Sequence, residues 1–472
     1  MTDDDTPDGF DPNDFQELLR SLLGGGGAGA DGLTLGPEQL EGLSRMGLDP
    51  AMLQQVMAQM QAAFANGGAG GDGIDWSAAK TQALHLSNKD GLGITAGDRT
   101  EFDQAFALAT LWLSEATTIS NLSGAPVAIT RGQWVEQTLP VWQELAEPVA
   151  DSIAGALTSA IDEQTPEEMK QLVAGAGAFM RRIGGSLFAA QLGGVIGRLS
   201  LEVVSGGDVG IPVMPDGVAA ILPQNFADFG RDLDVTDDQL ALYLATRELA
   251  HARLFRHARW LRLHVISQVT EFARGIHVDT SALEDLATRF DPSEPDELRS
   301  LIESGALLPQ RTGAQDAALT RLENLLATIE GWVDVVTADA TARLPEAAKI
   351  AEAVRRRRAV GGPAEQAMAS LVGLELRPRR LREAAAMWRA VTDAVGTSAR
   401  DSLWDYPDLM PGPGDIDDPQ GLITRLKARA AGDAPPRDAM DDALDALLAE
   451  AAGDGPASPD EPAPDTDDPR PV

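Results

Sequence analysis

The chain has 472 residues, 73 acidic against 38 basic side chains, a net charge of −35 and no cysteine. That length holds two or three average domains, or one large domain with unstructured ends. The absence of thiols excludes disulfides, thiolate metal sites and cysteine nucleophiles, and the acidity argues against nonspecific nucleic-acid binding, since a polyanion is repelled over most of the surface.

The first residues, MTDDDTPDGF, have no basic stretch and no apolar core, and residues 1–30 carry no transit pattern, so the expected location is the cytoplasm. Residues 1–75 hold 13 acidic and 2 basic side chains among many glycines and alanines. Such a composition buries too little apolar surface to offset chain entropy, and the segment reads as an acidic, disordered N-terminal tail. Within it, Phe15 to Leu23 and Pro50 to Phe64 have helical spacing with a Met-rich apolar face, suited to short helices formed transiently or on a partner. Residues 76–432 read as one packed domain. Residues 433–472, with 12 acidic and 2 basic side chains, read as a second disordered acidic tail.

Apolar periodicity predicts helices at about 99–119, 131–160, 166–203, 237–256, 258–276, 280–290, 295–304, 314–341, 346–358, 363–372 and 378–396. The expected class is mainly α, with a minor β component. In the third helix Gly177, Gly184, Gly185, Gly193 and Gly197 would let a neighbour approach closely. Its least polar stretch, Ile183 to Gly197, is broken by Gln191 and preceded by Arg181 and Arg182, and it is shorter than the roughly 20 residues a membrane helix needs. No membrane span is expected. Strand signals occur at Val209 to Met214 and Gly217 to Leu222, on either side of Pro215-Asp216, which predicts a small hairpin.

The helix beginning at Asp237 has Thr236 at its N-cap position and Gln239 three residues on, a capping-box pattern, with Asp237 and Asp238 at the positive end of the dipole. Positions 240, 244, 247, 248, 251 and 255 share one face, so Arg247, Glu248 and His251 interrupt an apolar stripe formed by Leu240, Leu244 and Phe255. Buried carboxylate and imidazole groups cost several kcal/mol unless paired or metal-bound. The helix therefore carries either a polar network with nearby arginines or a site.

In zinc peptidases His-Glu-x-x-His places two histidines one turn apart on one metal, with the glutamate polarising the metal-bound water. Here the run is Arg247-Glu248-Leu249-Ala250-His251. Glu248 stands at the base position and His251 at the second-ligand position, but arginine has only donors and cannot ligate a cation. By itself Glu-x-x-His on a helix is a weak signal.

Three runs carry more. TRELAHARLFRHARWLRLHV, IEGWVDVV at Ile329 to Val336, and RRRRAVGGPAEQAMASLVGLELRPRRLREAAAMW at Arg355 to Trp388 together resemble an actinobacterial family classed as zincin-like metallopeptidases or hydrolases. A sister group is associated by name with deazaflavin coenzyme biosynthesis. The resemblance covers roughly Trp76 to Pro419. It implies a zincin-like, predominantly helical domain with a small hairpin or sheet beside the active-site helix, and Glu248 and His251 at the positions of the catalytic glutamate and a zinc ligand. A further ligand would be Glu271, whose spacing after His251 is similar to that of glutamate-type zincins, or Glu330, in a run that resembles Glu-Gly-His of the sister group, with Asp334 one turn later. Glu330 is favoured, because a charge opening an apolar helical stretch is hard to place at a surface.

His257 and His264 are interleaved with Arg253, Arg256, Arg259 and Arg262 and read first as a solvated or acid-pairing basic face. His85 and His277 read as structural. The clusters Arg355 to Arg358 and Arg377, Arg379, Arg380 and Arg382 suit an anionic ligand or internal pairing, of which internal pairing is the simpler. No serine elbow, Walker loop or dinucleotide fingerprint is present. The leading expectation is a zinc-dependent peptidase-like hydrolase of peptide or protein substrates, with Glu248 activating water and His251 and Glu330 on zinc. The alternative is an inactive zincin-like scaffold in which Arg247 pairs with Glu248 and the acidic tails recruit partners; an anion-binding module built on the arginine clusters comes third. Oligomeric state is not legible.

Overall fold

The computed structural model describes residues 76–164, 170–274, 312–361, 369 and 380–432. All belong to one compact unit, Asp72–Val472. In chain order the main elements are α1 (Trp76–Asn88), α2 (Ala96–Ala116), β1 (Val127–Ala128), α3 (Arg131–Gln164), α4 (Lys170–Glu202), β2 (Ala220–Ile221), α5 (Pro223–Gly230), α6 (Asp237–His257), α7 (Trp260–Arg274), α8 (Gly313–Ala340), α9 (Ala347–Val360), α10 (Leu381–Asp401), α11 (Pro413–Asp417) and α12 (Pro419–Ala431). The mainly helical class and the small sheet follow the sequence pattern. The helices expected at 280–290, 295–304 and 363–372, both acidic tails and His277 lie outside the described residues.

The core runs through nearly every element. Helix α6 is enclosed by α2, α8 and α9, and α8 in turn packs on α7 and α10, which is why the middle of α6 is buried on all sides from Leu240 to Leu254. Trp404 centres an aromatic cluster, with Trp388 and Trp260 stacked at 5.5 and 6.5 Å and Trp332 edge-on at 6.4 Å. The small residues of α4 act as expected at its C-terminal half: a Cβ at Gly197 would stand 2.8 Å from Leu86 Cβ of α1. Helix α1 itself has no strong apolar stripe, and it forms on that glycine-faced surface. No helix of the described residues is long and apolar enough to cross a membrane.

The sheet differs from the expected hairpin. Ala220–Ile221 pairs in parallel with Val127–Ala128, 93 positions earlier in register, Val127 with Ala220, and Ser205 bridges Ile221 on the other side. Residues 209–214 form no strand. Pro212 and Pro215 remove two ladder donors there, and Gly210 and Gly217 take positive φ of 84° and 75°, so the segment folds back as a loop over α6.

Candidate functional site

The described residues enclose a buried charge network contributed by four pieces of chain. Helix α6 presents Tyr243, Arg247 and His251 at successive turns, with Glu248 beside them. Helix α8 presents Glu330, α9 presents Arg357 and Arg358, and the loop after α4 presents Ser205 to Gly210. Thr236 is the N-cap of α6, but it makes no side-chain cap bond; Gln239 Nε2 donates to Thr236 Oγ1 at 3.3 Å, and its Oε1 accepts from the Glu346 amide at 3.0 Å, tying α6 to the start of α9.

Glu330 is fully buried and collects the cations. Arg247 Nη2 donates to its Oε2. His251 Nε2 lies 3.0 Å from its Oε1, and Arg358 Nη2 donates to the same oxygen at 3.3 Å and to the Val209 carbonyl at 3.1 Å. Burial alone would raise the Glu330 pKa, but Arg358, Arg247 and His251 outweigh it and hold the carboxyl well below its ordinary range. Arg247 is held the other way: burial favours its neutral form, the Glu330 charge overrides that, and the guanidinium stays charged. His251 is 1% exposed, and its pKa is lowered, burial outweighing the attraction of Glu330. Nε2 is the ring nitrogen that faces Glu330, and Nδ1 faces no partner.

Glu248 belongs to a separate arrangement. Its Oε2 accepts from the Gly207 amide at 2.8 Å and its Oε1 from the Ala220 amide at 2.9 Å, with a further bond from the Ser205 side chain. Burial pushes its pKa up to about 7 against those three bonds. The loop fits only because it is glycine: a Cβ at Gly206 would stand 2.8 Å from Glu248 Oε1, and one at Gly207 2.8 Å from His251 Cβ. Next along, Asp208 accepts from the Val204 amide at 2.8 Å and pairs with Arg357. Burial raises its pKa, and Arg357 and Arg358 overcome this to leave it lowered.

The structure thus brings Glu330 and His251 together, with Glu248 on the same helix. Arg247 pairs with Glu330 and not with Glu248. Glu271 lies elsewhere, half-exposed in an ion pair with Arg321 at 2.5 Å. Asp334 faces Arg355 at 3.3 Å. His257 pairs with Asp405 at 2.9 Å, and His264 stands edge-on to Trp260. Of the supposed basic face, Arg256 and Arg259 pair with Asp216 and Arg262 with Glu144, whereas Arg253 is buried, donating to the Thr110 carbonyl; desolvation brings its pKa down to about 10. The Arg355 to Arg358 quartet pairs within the domain, with Asp334, Glu352, Asp208 and Glu330.

The donor set does not fit zinc. A zinc ion takes at least three N or O protein donors at about 2.0–2.2 Å, and among the described residues no group of three or more His, Asp or Glu converges. His251 and Glu330 supply two. Two guanidiniums already contact the Glu330 carboxylate where a dication would sit, and arginine cannot ligate. Around this centre lie three cavities: about 10 Å³ beside Arg247, Leu244 and Val354; about 530 Å³ between α4, α5 and α9, bounded by Asp208, Phe229 and Arg357; and about 150 Å³ bounded by Met214 and Phe255.

Residues 74–423 match a family model described as zincin-like metallopeptidase. A solved structure from Chloroflexus aurantiacus, described as a putative hydrolase with a novel fold, superposes with a TM-score of 0.52 at 20% identity, covering 75% of this chain and 99% of that one. A comparison with curated proteins found no match. At that identity the likeness is one of fold.

Proposed function

The chain belongs to the zincin-like metallopeptidase family, and from that premise we propose that it binds and does not cut: a zincin-fold scaffold whose active-site helix has become a buried structural network. The observation that carries this reading is the Arg247–Glu330–Arg358 cluster, in which organic cations take the carboxylate that a metal would need. Glu248 supports it. A general base must reach a water or substrate proton, and this carboxyl is 1% exposed with both oxygens already accepting amide hydrogens. Peptide or protein partners would then be engaged at the surface, with the acidic segments 1–75 and 433–472 adding charge.

The test is a survey of peptide libraries with the purified chain, with and without added zinc, beside Glu248→Gln. No turnover by either protein is expected. Peptide cleavage that disappears in Glu248→Gln would overturn the reading.

A second reading, a hydrolase using Glu248 for proton transfer, is favoured by one observation: its pKa near 7 suits acid–base work at neutral pH. The cavity bounded by Met214 and Phe255 adds a route, since Phe255 lies 5.8 Å from the His251 ring and Met214 flanks Gly206 next to Glu248. On that reading, cleavage would follow a pH profile that bends near 7.

A further inference from the structure

We propose that Arg247 is the resident cation of this site and the residue that keeps metal out, so that Arg247→His alone converts the network into a zinc site. The proposal rests on the metal-free reading above, although it concerns the metal and not the reaction.

Four observations carry it. Arg247 and His251 are one turn apart on α6, and each engages a different oxygen of the same Glu330 carboxylate. Two residues spaced i, i+4 and aimed at one acceptor are the arrangement in which paired histidines hold a metal. The guanidinium also spans a definite length. An imidazole nitrogen ends nearer the helix, and the shortfall is the space that a metal with N and O bonds of about 2.0–2.2 Å would fill. Beside Arg247 a cavity of about 10 Å³ already exists, and the volume given up by the shorter ring adds to it.

The third observation is incomplete satisfaction. Tyr243 Oη, Arg247 Nε and His251 Nδ1 are all buried without a hydrogen-bond partner, and they lie on one face of α6 at successive turns. Buried polar groups in a settled structural network are nearly always paired. Tyr243 Oη and His251 Nδ1 thus flank Arg247 with polar groups that no neighbour uses. The fourth is charge. Arg247 and Arg358 both contact the Glu330 carboxylate, so a dication entering the unchanged site would meet two like charges. Removing Arg247 leaves one, Arg358, whose contact with Glu330 is the longer at 3.3 Å.

The experiment is metal analysis and thermal melting of four full-length proteins: wild type, Arg247→His, Arg247→Gln and Arg247→His/Glu330→Gln. Wild type and Arg247→Gln are expected to carry no zinc after dialysis against it and to melt identically with and without chelator. Arg247→His is expected to hold about one zinc per chain and to lose Tm when chelator is added, and the double variant to lose that zinc. Arg247→Gln separates loss of the cation from gain of a ligand. If Arg247→His is unfolded without metal, zinc must restore its helical circular dichroism. A folded Arg247→His that takes up no zinc overturns the proposal and leaves the non-catalytic reading standing, as does failure of zinc to restore an unfolded one. Stoichiometric, chelator-sensitive zinc in the wild type overturns both.

Discussion

Arg247 and His251 reach across 83 and 79 residues of chain to opposite oxygens of one carboxylate, that of Glu330, and so clamp α6 to α8 in the buried middle of both helices. Breaking a buried ion pair by removing one partner is far costlier than the pair is worth, because the remaining charge has neither water nor counterion. Glu330→Gln strands two buried guanidiniums, and a loss of about 3–5 kcal/mol is expected in urea unfolding. Glu271→Gln, which breaks only the half-exposed pair with Arg321, is expected to cost less than about 1 kcal/mol. Equal losses would show that the network does not hold the helices together.

The loop over α6 should be as sensitive as the charges it covers. Gly210 has φ of 84°, and a Cβ there would lie 2.6 Å from both Glu330 Oε1 and an Arg358 nitrogen; a Cβ at Gly207 would lie 2.8 Å from His251 Cβ. Gly210→Ala and Gly207→Ala are each expected to destabilise by about 1–3 kcal/mol through strain and overpacking. Gly313→Ala, at the first turn of α8 with nothing within 4 Å, is the control and should be neutral or slightly stabilising. Thermal melts of the three variants decide it.

These dependencies explain how much of the site could be read from sequence. Arg247, Glu248 and His251 were visible because they break an apolar face of a well-signalled helix, and Glu330 because a charge opens an otherwise apolar run. Their partners were not. Gly207 and Ala220 act through backbone amides, which carry no side-chain signature, and Arg358 was one of four consecutive arginines whose separate targets, Asp334, Glu352, Asp208 and Glu330, are fixed only by how α9 docks. Tyr243 has the right spacing, 243, 247 and 251, but a tyrosine near a core is ordinary. The parallel pairing of β2 with β1 was hidden for a similar reason: two-residue strands have no periodicity, and proximity of Pro215-Asp216 favoured a local hairpin over a partner 93 positions away.

Asp401 tests a second buried network that the sequence did not signal. It is 2% exposed and accepts from Arg400 Nε at 2.7 Å, Thr117 Oγ1 at 2.7 Å, the Thr118 amide at 2.8 Å and Trp332 Nε1 at 3.0 Å. Trp332 is two residues from Glu330, so this carboxylate anchors the turn of α8 that presents the site. Asp401→Ala is expected to cost about 3–5 kcal/mol, since it leaves Arg400 buried without its charge. Nitrogen chemical shifts of the Trp332 indole should move with it. An Asp401→Ala protein as stable as wild type would remove the anchoring role.

The two glutamates of the site should give stability a pH dependence with opposite arms. Glu330 has a lowered pKa when folded, so its contribution is present above the unfolded carboxylate pKa and is lost as pH falls through the folded value. Glu248 has a raised pKa, about 7 against an ordinary 4.5. In that window the folded state binds more protons than the unfolded, so the Glu248 contribution is fully present below about 4.5 and is lost as pH rises through 7, about 3 kcal/mol in all at 1.36 kcal/mol per unit. His251, with a lowered pKa, works the other way: stability rises with pH up to its unfolded value, which offsets part of the Glu248 slope in wild type. Glu248→Gln isolates the term. Urea unfolding at pH 5, 6, 7 and 8 should show the variant gaining on wild type by about 2.5 kcal/mol across the series, most of it between pH 5 and 7. A difference that stays constant with pH would mean that Glu248 is ionised in the folded protein throughout, and that its two amide bonds outweigh its burial.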